Sequence, residues 1–209
     1  MSLNPQQLSA LLLRCCSQVK GAVPELNALD GQLGDGDLGA TLEKCARLIE
    51  AALNPIPQDI PAVFHAASQA CVRASGSSFG TLLGVALLTM AKHTSGQTEL
   101  RAEVVPVLLK ATLDALMVRG GASLGDKTVL DALDALICAL ESEPMAHWSH
   151  IAPRAVSDAL DKFRQQPNKI GRARMFAERS VGLDDPGMVA FAHLVNAAIA
   201  CTSPSQEAS

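Results

Sequence analysis

Residues 100–118 read LRAEVVPVLLKATLDALMV, and their apolar side chains recur every three or four positions. Val107, Leu108, Ala111 and Ala115 would therefore lie along one face of an α-helix. The same spacing returns elsewhere, and no stretch alternates with the period of two that is typical of a half-buried strand. The chain is 48% hydrophobic but only 3% aromatic, and it is rich in Ala and Leu, which favour helices. The sequence predicts an all-α protein.

Start and stop signals divide the chain into eight helical segments. The first begins at Asn4, whose side chain can cap a helix, followed by Pro5, which is favoured at the first helical position. The other segments are expected near residues 39–53, 60–73, 79–92, 100–118, 128–141, 148–165 and 187–202. A short helical turn is expected between Lys169 and Ser180. A length of 209 residues suits a single domain over residues 1–209.

Composition excludes several classes of function. The formal net charge of -4 and the absence of a Lys/Arg-rich run argue against nucleic acid as a partner. The longest uncharged apolar-rich run, Phe79 to Ala91, is shorter than the roughly 20 residues that cross a bilayer, so no membrane span is expected. The first ten residues lack the features of a secretory signal, which favours the cytoplasm. The six cysteines show no CxxC pair, so neither disulfides nor zinc are expected.

Four of the connections between predicted helices are rich in Gly, Ser and Asp. They are the first, third, fifth and seventh, and they contain GQLGDGD, ASGSS, RGGASLGDK and SVGLDDPG. The intervening connections carry ordinary proline and polar breaks. In an antiparallel up-and-down bundle, alternate connections lie at the same end. The four unusual loops are therefore expected to form one composite site.

The first of these loops carries three carboxylates, Asp30, Asp35 and Asp37, in a D-x4-D-x-D pattern. Carboxylate oxygens suit Mg²⁺ or Ca²⁺, and the glycines between them allow close approach of the backbone. The alternative is that Asp and Gly merely form turns and caps. The spacing does not match an EF-hand, which needs acids at alternate positions and a glutamate at the twelfth.

Anion donors flank the acid-rich loop. Residues 39–41 and 76–78 begin predicted helices, and helix amino termini attract anions through unsatisfied N–H groups. Simple helix capping is the alternative for the serines. Lys127 and Arg172 could neutralise phosphate, although solvated basic side chains beside acids are the plainer interpretation. Neither a Walker loop nor a GxGxxG motif with its strand is present in the sequence.

Histidine is not placed for catalysis at this end of the predicted bundle. His93, His147 and His150 map to the opposite end, and His65 and His193 lie within helices. The site thus has metal ligands and anion donors but no group that would activate an acceptor. Phosphoryl transfer depends mainly on positioning and charge neutralisation, so such a half-site could work when docked against a second protein.

Taken in order, LDGQLGDGDLG, RGGASLGDKTVLDAL and GRARMFAERSVGLDDPG resemble the motifs of the L subunit, the nucleotide-binding domain, of the dihydroxyacetone kinases. The resemblance covers nearly the whole chain. It implies an eight-helix antiparallel barrel that holds ADP or ATP and two magnesium ions at one end. It also implies a phosphotransferase that serves dihydroxyacetone or a related short-chain sugar, held covalently through a histidine of a separate K-type subunit.

The resemblance assigns a role to individual positions. The implied magnesium ligands are Asp30, Asp35 and Asp37. The implied nucleotide contacts are Leu38, Gly39, Ala40, Thr41, Ser77, Ser78, Gly120, Val129, Arg172, Asp185, Pro186 and Gly187. Three positions depart from the family pattern: Leu38 and Leu183 replace histidines, and Phe79 replaces a glycine.

Several functional questions stay open at the level of sequence. The phosphate could come from ATP or from a phosphoryl relay protein acting on bound ADP. Whether the chain forms a homodimer is also left open. The alternatives to a kinase subunit are a nucleotide-sensing adaptor that controls a regulatory protein, and the nucleotide domain of a fatty-acid-kinase-like enzyme.

Overall fold

A computed structural model describes residues 2–74 and 78–200, without the side chains of Arg172, Ala173 and Phe176. The described residues form nine α-helices: α1 (Pro5–Gly21), α2 (Val23–Leu33), α3 (Leu38–Ala52), α4 (Ile60–Ala74), α5 (Ser78–His93), α6 (Val105–Gly120), α7 (Val129–Ser142), α8 (Trp148–Arg164) and α9 (Pro186–Ile199). Three 3-10 helices span Ala102–Val104, Met145–His147 and Arg172–Ser180. A two-residue strand β1 (Ser2–Leu3) pairs antiparallel with β2 (Leu100–Arg101). The predicted all-α class is confirmed.

Eight of these helices form a closed ring. Going round it, α1 packs against α3, each helix from α3 to α8 packs against the next one in the chain, and α9 packs against both α8 and α1. Helix α2 lies outside this order and packs against α3, α9 and the 3-10 helix Arg172–Ser180. The ring is the predicted eight-helix barrel, and α2 is an additional helix beside it.

The main difference from the sequence-based segments concerns the first one. It contains two helices, because the first ends at Gly21 and the second begins at Val23 with a proline in its first turn. Helix α2 then runs to Leu33, so the first residues of the predicted GQLGDGD loop are helical. The segment expected at 100–118 also begins later, since its first residues form β2 and a 3-10 turn.

Side-chain caps explain where several helices begin. Asn4 accepts a hydrogen bond from the Gln7 N–H at 2.9 Å, and the Gln7 side chain accepts one from the Asn4 N–H at 3.0 Å. Thr128 and Asp131 form the same reciprocal capping box at the start of α7. Such caps satisfy N–H groups that the first helical turn leaves without partners.

The interior of the ring is apolar. Among the most buried side chains are Leu26, Ile60, Val63, Cys71 and Met188. The ring encloses a cavity of about 380 Å³ lined almost entirely by apolar side chains, among them Phe64, Leu87, Leu136 and Phe191. Within the described part of the chain, no helix is both long enough and apolar enough to cross a membrane.

Candidate functional site

Three aspartates meet where α2 ends and α3 begins. Asp30 lies in the last turn of α2, Asp37 immediately precedes α3, and Asp35 lies between them. Each contributes a carboxylate oxygen, and these three oxygens lie within 4.8 Å of one another. Among the described residues, this is the one group of at least three acidic, His or Cys side chains close enough to share an ion. We call residues 30–37 the acid loop; its hard oxygen donors fit Mg²⁺ or Ca²⁺.

The protein itself fixes the orientation of the Asp30 carboxylate. Asp30 Oδ2 accepts hydrogen bonds from the backbone N–H groups of Asp37 at 2.9 Å and Leu38 at 3.3 Å. A Cβ atom on Gly34 would lie 2.7 Å from Asp30 Oδ1, so a side chain at this position would push the Asp30 carboxylate aside. The carboxylate is thus half-buried and held by the amides that begin α3, which brings Asp30 and Asp37 together.

Close packing of α2 on α3 holds the acid loop in place. The Asn27 Oδ1 atom in α2 accepts a hydrogen bond from the Ala40 N–H at 3.2 Å. A Cβ atom on Gly39 would lie 2.5 Å from the carbonyl oxygen of Val23 and 2.8 Å from Asn27 Oδ1. The two helices can approach this closely only because residue 39 has no side chain.

A cleft of about 600 Å³ opens where α5, α6 and α7 meet residues 170–171. Its lining includes Ser78, Thr81, Arg119, Gly120, Val129 and Gly171. Ser78 begins α5, Gly120 ends α6 and Val129 begins α7. The cleft therefore joins three of the connections that the sequence predicts to lie at one end.

Two of these connections are tied together by hydrogen bonds. We call residues 121–128 the GDKT loop and residues 165–185 the closing segment. The Lys169 N–H donates to the Asp126 carbonyl at 3.2 Å, and Lys169 Nζ donates to the Gly125 carbonyl at 2.7 Å. Lys127 Nζ donates to the carbonyl of Ser180 at 2.7 Å. The GDKT loop and the closing segment form a single layer beside the cleft.

Asp185 connects this layer to α9. Its Oδ1 accepts a hydrogen bond from the Met188 N–H at 2.9 Å, which caps α9, and its Oδ2 accepts one from Asn168 Nδ2 at 2.9 Å. Burial raises the pKa of Asp185 to about 6, although the hydrogen bonds and the charge of Lys127 act in the opposite direction. A Cβ atom on Gly187 would lie 3.2 Å from the Phe79 ring, so α9 begins directly against α5.

The family model for the DAK2 domain matches residues 32–200 of this chain, which include the acid loop from residue 32 onward, the cleft and the closing segment. The chain belongs to the DAK2 domain family. It is 32% identical over 173 residues to the ADP-binding subunit DhaL of the PEP-dependent dihydroxyacetone kinase 1 of Listeria innocua, an alignment that covers 82% of this chain and 84% of that subunit.

Other DAK2-type relatives are much longer than this chain. It is 34% identical over 181 residues to the L-erythrulose 1-kinase of Mycolicibacterium smegmatis, covering 83% of this chain but 31% of that enzyme. The fold resembles that of the C. freundii dihydroxyacetone kinase in complex with AMP-PNP and Mg²⁺. The TM-score is 0.72 at 22% identity, and the match covers 94% of this chain and 34% of that one. The chain thus spans about a third of both proteins.

The structure brings most of the predicted DAK2 site residues to one end of the ring. The acid loop leads directly into Leu38, Gly39, Ala40 and Thr41, which form the first turn of α3. Ser78, Gly120 and Val129 line the cleft, and Asp185, Pro186 and Gly187 begin α9. Arg172 begins a 3-10 helix, but its side chain lies outside the described atoms, as does all of Ser77.

The first turn of α3 has few amides to offer a phosphate. The Leu38 N–H donates to Asp30, the Ala40 N–H to Asn27, and the Thr41 N–H to the Asp37 carbonyl. Contacts from residues 38–41 to a phosphate would therefore rely on the Gly39 N–H, on the Thr41 hydroxyl, or on amides that exchange one acceptor for another.

Lys127 differs from the sequence-based expectation. The suggestion that it neutralises phosphate is wrong for this structure, because its side chain is fully buried and its ammonium donates to three backbone carbonyls. Nothing in the sequence indicated this burial, since periodicity does not show where a loop lysine points.

Some neighbours of the site were missed from the sequence. Asn27 lies one helical turn before Asp30, and it would have been noticed had α2 been recognised as a helix. Thr81 lies three residues after Ser78 in α5 and lines the same cleft, as helical spacing would suggest. Arg119 and Asn168 had no sequence signal that distinguished them from surface residues.

Proposed function

We propose that this chain is the nucleotide-binding subunit of a dihydroxyacetone-kinase-like phosphotransferase. The observation that carries the proposal is the cluster of three aspartate carboxylates at the start of α3, whose oxygens lie within 4.8 Å of one another. Magnesium usually takes few protein ligands and completes its shell with phosphate oxygens. A cluster of this kind, in a chain that also has an open cleft lined by the starts of α5 and α7, therefore favours a magnesium-nucleotide complex over a purely structural ion.

The proposed roles follow the geometry of the site. Asp30, Asp35 and Asp37 ligate magnesium, with two ions as the family resemblance implies, and the metal neutralises phosphate charge. Asp30 also holds Asp37 through the backbone N–H of that residue. The Thr41 hydroxyl and Ser78, at the start of α5, are the proposed phosphate contacts.

The cleft is the proposed site of the nucleoside. Its walls combine apolar side chains such as Leu82 and Ile170 with the backbone of Gly120 and Gly171 and the hydroxyl of Thr81. A largely apolar cleft with a few polar groups is the usual form of a small-molecule site. Asp185 and Gly187 begin α9 against Phe79 of α5, and Arg172 begins the 3-10 helix directly after the cleft-lining Gly171.

The acceptor is proposed to come from a partner. His193, in α9, is engaged with Glu25 and Gln18 between helices, at 2.9 Å and 3.2 Å. His93 and His147 lie near the carboxyl end of α5 and the amino end of α8, away from the acid loop. A K-type subunit carrying dihydroxyacetone or a related short-chain ketose would supply the missing half, in line with the erythrulose kinase and the DhaL subunit among the relatives.

The phosphate source distinguishes two forms of this proposal. A relay-dependent subunit retains ADP and receives phosphate from another protein; the Listeria relative is named as the ADP-binding subunit of a PEP-dependent kinase. An ATP-dependent subunit exchanges its nucleotide at every turnover. The two forms are distinguished by denaturing the purified protein and identifying any released nucleotide by chromatography. One ADP per protein indicates the relay-dependent form, and an empty site indicates the ATP-dependent form that exchanges its nucleotide.

Isothermal titration calorimetry with ADP and Mg²⁺ tests the binding site itself. Asp35→Asn and Asp37→Asn remove metal ligands from a loop, so we expect loss of magnesium-dependent affinity with little change in thermal stability. Asp114→Asn is the matched control, because Asp114 is an exposed acid on α6. Equal affinity in all four proteins would disprove the assigned metal site.

Turnover requires a partner and is tested separately. The chain is mixed with a K-type subunit, dihydroxyacetone or erythrulose, and either ATP or a phosphorylated relay protein. Formation of sugar phosphate that depends on Asp37 supports the kinase proposal. Tight nucleotide binding without sugar phosphate under every condition would reject it.

A further inference from the structure

Lys127 carries a charge in the interior of the protein without a carboxylate bonded to it. Its side chain is 0% exposed. Nζ donates to the carbonyls of Gln166 at 2.7 Å, Ser180 at 2.7 Å and Arg164 at 3.2 Å. An ammonium has three N–H groups, so all of its donors are used. Such full pairing is what makes a buried charge tolerable.

The three acceptors lie on both sides of residues 167–179. Arg164 and Gln166 lie where α8 ends, whereas Ser180 lies where the 3-10 helix Arg172–Ser180 ends. One nitrogen atom therefore fastens the start of the closing segment to the end of its 3-10 helix. Lys127 reaches this point from the GDKT loop, where its backbone takes a φ of 60°, a left-handed conformation that is uncommon for a residue other than glycine.

Asn168 extends the connection to α9. Its backbone N–H donates to Ser180 Oγ at 2.8 Å. Its Nδ2 donates both to the Lys127 carbonyl at 2.8 Å and to Asp185 Oδ2 at 2.9 Å. The side chain and the backbone of Lys127 thus hold different parts of the same segment, and Asn168 links them to the residue that caps α9.

We propose that Lys127 is a positioning residue that holds the closing segment and the start of α9 in the geometry that binds nucleotide, and that it does not bind phosphate. The inference rests on the proposed function, because the cleft-lining residues 170–171 and Asp185 belong to that site. Burial lowers the pKa of Lys127, while the nearby carboxylates of Asp185 and Asp184 act in the opposite direction.

Hydrogen exchange measured without nucleotide tests the structural part of the inference. Lys127→Met keeps the aliphatic chain but removes the ammonium that ties three carbonyls together. The carbonyls of Arg164 and Ser180 still accept from the N–H groups of Gly182 and Leu183, whereas the Gln166 carbonyl loses its donor. We expect the amides of Asn168, Lys169 and Gly182 to exchange about tenfold faster or more, because loss of these three bonds favours local opening of the closing segment. Lys110→Met is the matched control, since Lys110 is an exposed lysine in α6, ten residues before the cleft-lining Gly120. Unchanged protection in Lys127→Met would overturn the inference.

Affinities for AMP, ADP and ATP with Mg²⁺ distinguish positioning from phosphate contact. A positioning role predicts that Lys127→Met weakens all three by a similar factor, about tenfold or more. A phosphate ligand would produce a loss that grows with the number of phosphates. Measurements are made well below the unfolding temperature, so a loss of global stability alone leaves the affinities unchanged. Equal affinities in wild type and Lys127→Met would also overturn the inference.

Asn168→Ala is the second variant, and it decides the question if Lys127→Met does not fold. It leaves the three bonds of the Lys127 ammonium intact and removes the links to the Lys127 carbonyl and to Asp185. We expect the amides of Lys169 and Gly182 to exchange faster, and the affinities for AMP, ADP and ATP to fall by a similar factor. Exchange rates and affinities equal to those of the wild type would contradict the inference. If the wild-type chain itself binds no magnesium nucleotide, the proposed function fails, while the exchange measurements still test the role of Lys127.

Discussion

Replacing Gly39 with alanine tests how the acid loop is held. The new Cβ atom would lie 2.5 Å from the Val23 carbonyl oxygen and 3.0 Å from Val23 Cα. Non-bonded atoms attract at roughly 3.5 Å or more, so the first contact is too short by about 1 Å. The obstructing atoms belong to the backbone of α2, which cannot turn aside as a flexible side chain could. Helix α2 must therefore move away from α3.

The expected cost follows from this forced movement. Overpacking a well-packed contact usually costs about 1–3 kcal/mol, and a clash with helical backbone belongs at the upper end of that range. Displacing α2 also carries Asp30 away from the amide of Asp37, a hydrogen bond that is 2.9 Å long. We therefore expect Gly39→Ala to lose about 3 kcal/mol of unfolding free energy and about tenfold or more in affinity for ADP with Mg²⁺.

Urea denaturation monitored by circular dichroism measures the unfolding free energy, and calorimetry measures the affinity for ADP with Mg²⁺. Gly21→Ala is the matched control, because a Cβ atom at this helical position meets no other atom within 4 Å. We expect Gly21→Ala to leave the unfolding free energy unchanged or to raise it by up to about 1 kcal/mol. If Gly39→Ala proved as stable as Gly21→Ala and bound nucleotide normally, the close contact between α2 and α3 would be refuted.

Three further predictions concern single side chains. Asp30→Ala should lower the unfolding free energy by about 1–2 kcal/mol and should also lower the affinity for magnesium. Asp30→Asn should lower mainly the magnesium affinity, because its amide oxygen can still accept hydrogen bonds from the N–H groups that begin α3. Equal urea midpoints for the two variants would contradict this. Leu38→His should cost about 1–3 kcal/mol in urea denaturation, because Leu38 is 6% exposed in an apolar cluster; a stable variant would show that the site accepts a polar group. The pKa of Asp185 is raised from 3.8 to about 6 in the folded protein, so its contribution to stability falls as pH rises through that range. Between pH 4 and about pH 6, the unfolding free energy of the wild type should therefore fall more than that of Asp185→Asn. If the two unfolding free energies changed in parallel with pH, the carboxyl of Asp185 would not be buried.

Features that are local in sequence were predictable. Asp30, Asp35 and Asp37 lie within eight residues of one another, so any compact turn brings their carboxylates close, and the structure does so. The individual helices also followed from the spacing of apolar residues and from caps such as Asn4. In these cases, the chemistry of neighbouring residues was sufficient, whereas the barrel arrangement was implied by the family resemblance.

Features that depend on packing between distant elements were not predictable. Helix α2 was merged with α1 because only Ala22 separates them, although Gly21 and Pro24 mark a break there. The burial of Lys127 depends on carbonyls 37 to 53 residues away along the chain. No periodicity within the GDKT loop encodes the positions of those acceptors.

The order of helices around the ring bears on how the chain folds. Neighbours in the ring are consecutive in sequence, apart from the insertion of α2, until α9 meets α1. That last contact joins residues as distant as Cys15 and Leu194, whose thiol and carbonyl lie 3.7 Å apart. Closing so long a loop carries an entropic cost, and contacts between distant residues slow folding. We therefore expect the helices to associate in sequence order, with Asp185 reaching the acid-loop end of the ring only when the final pairing closes it.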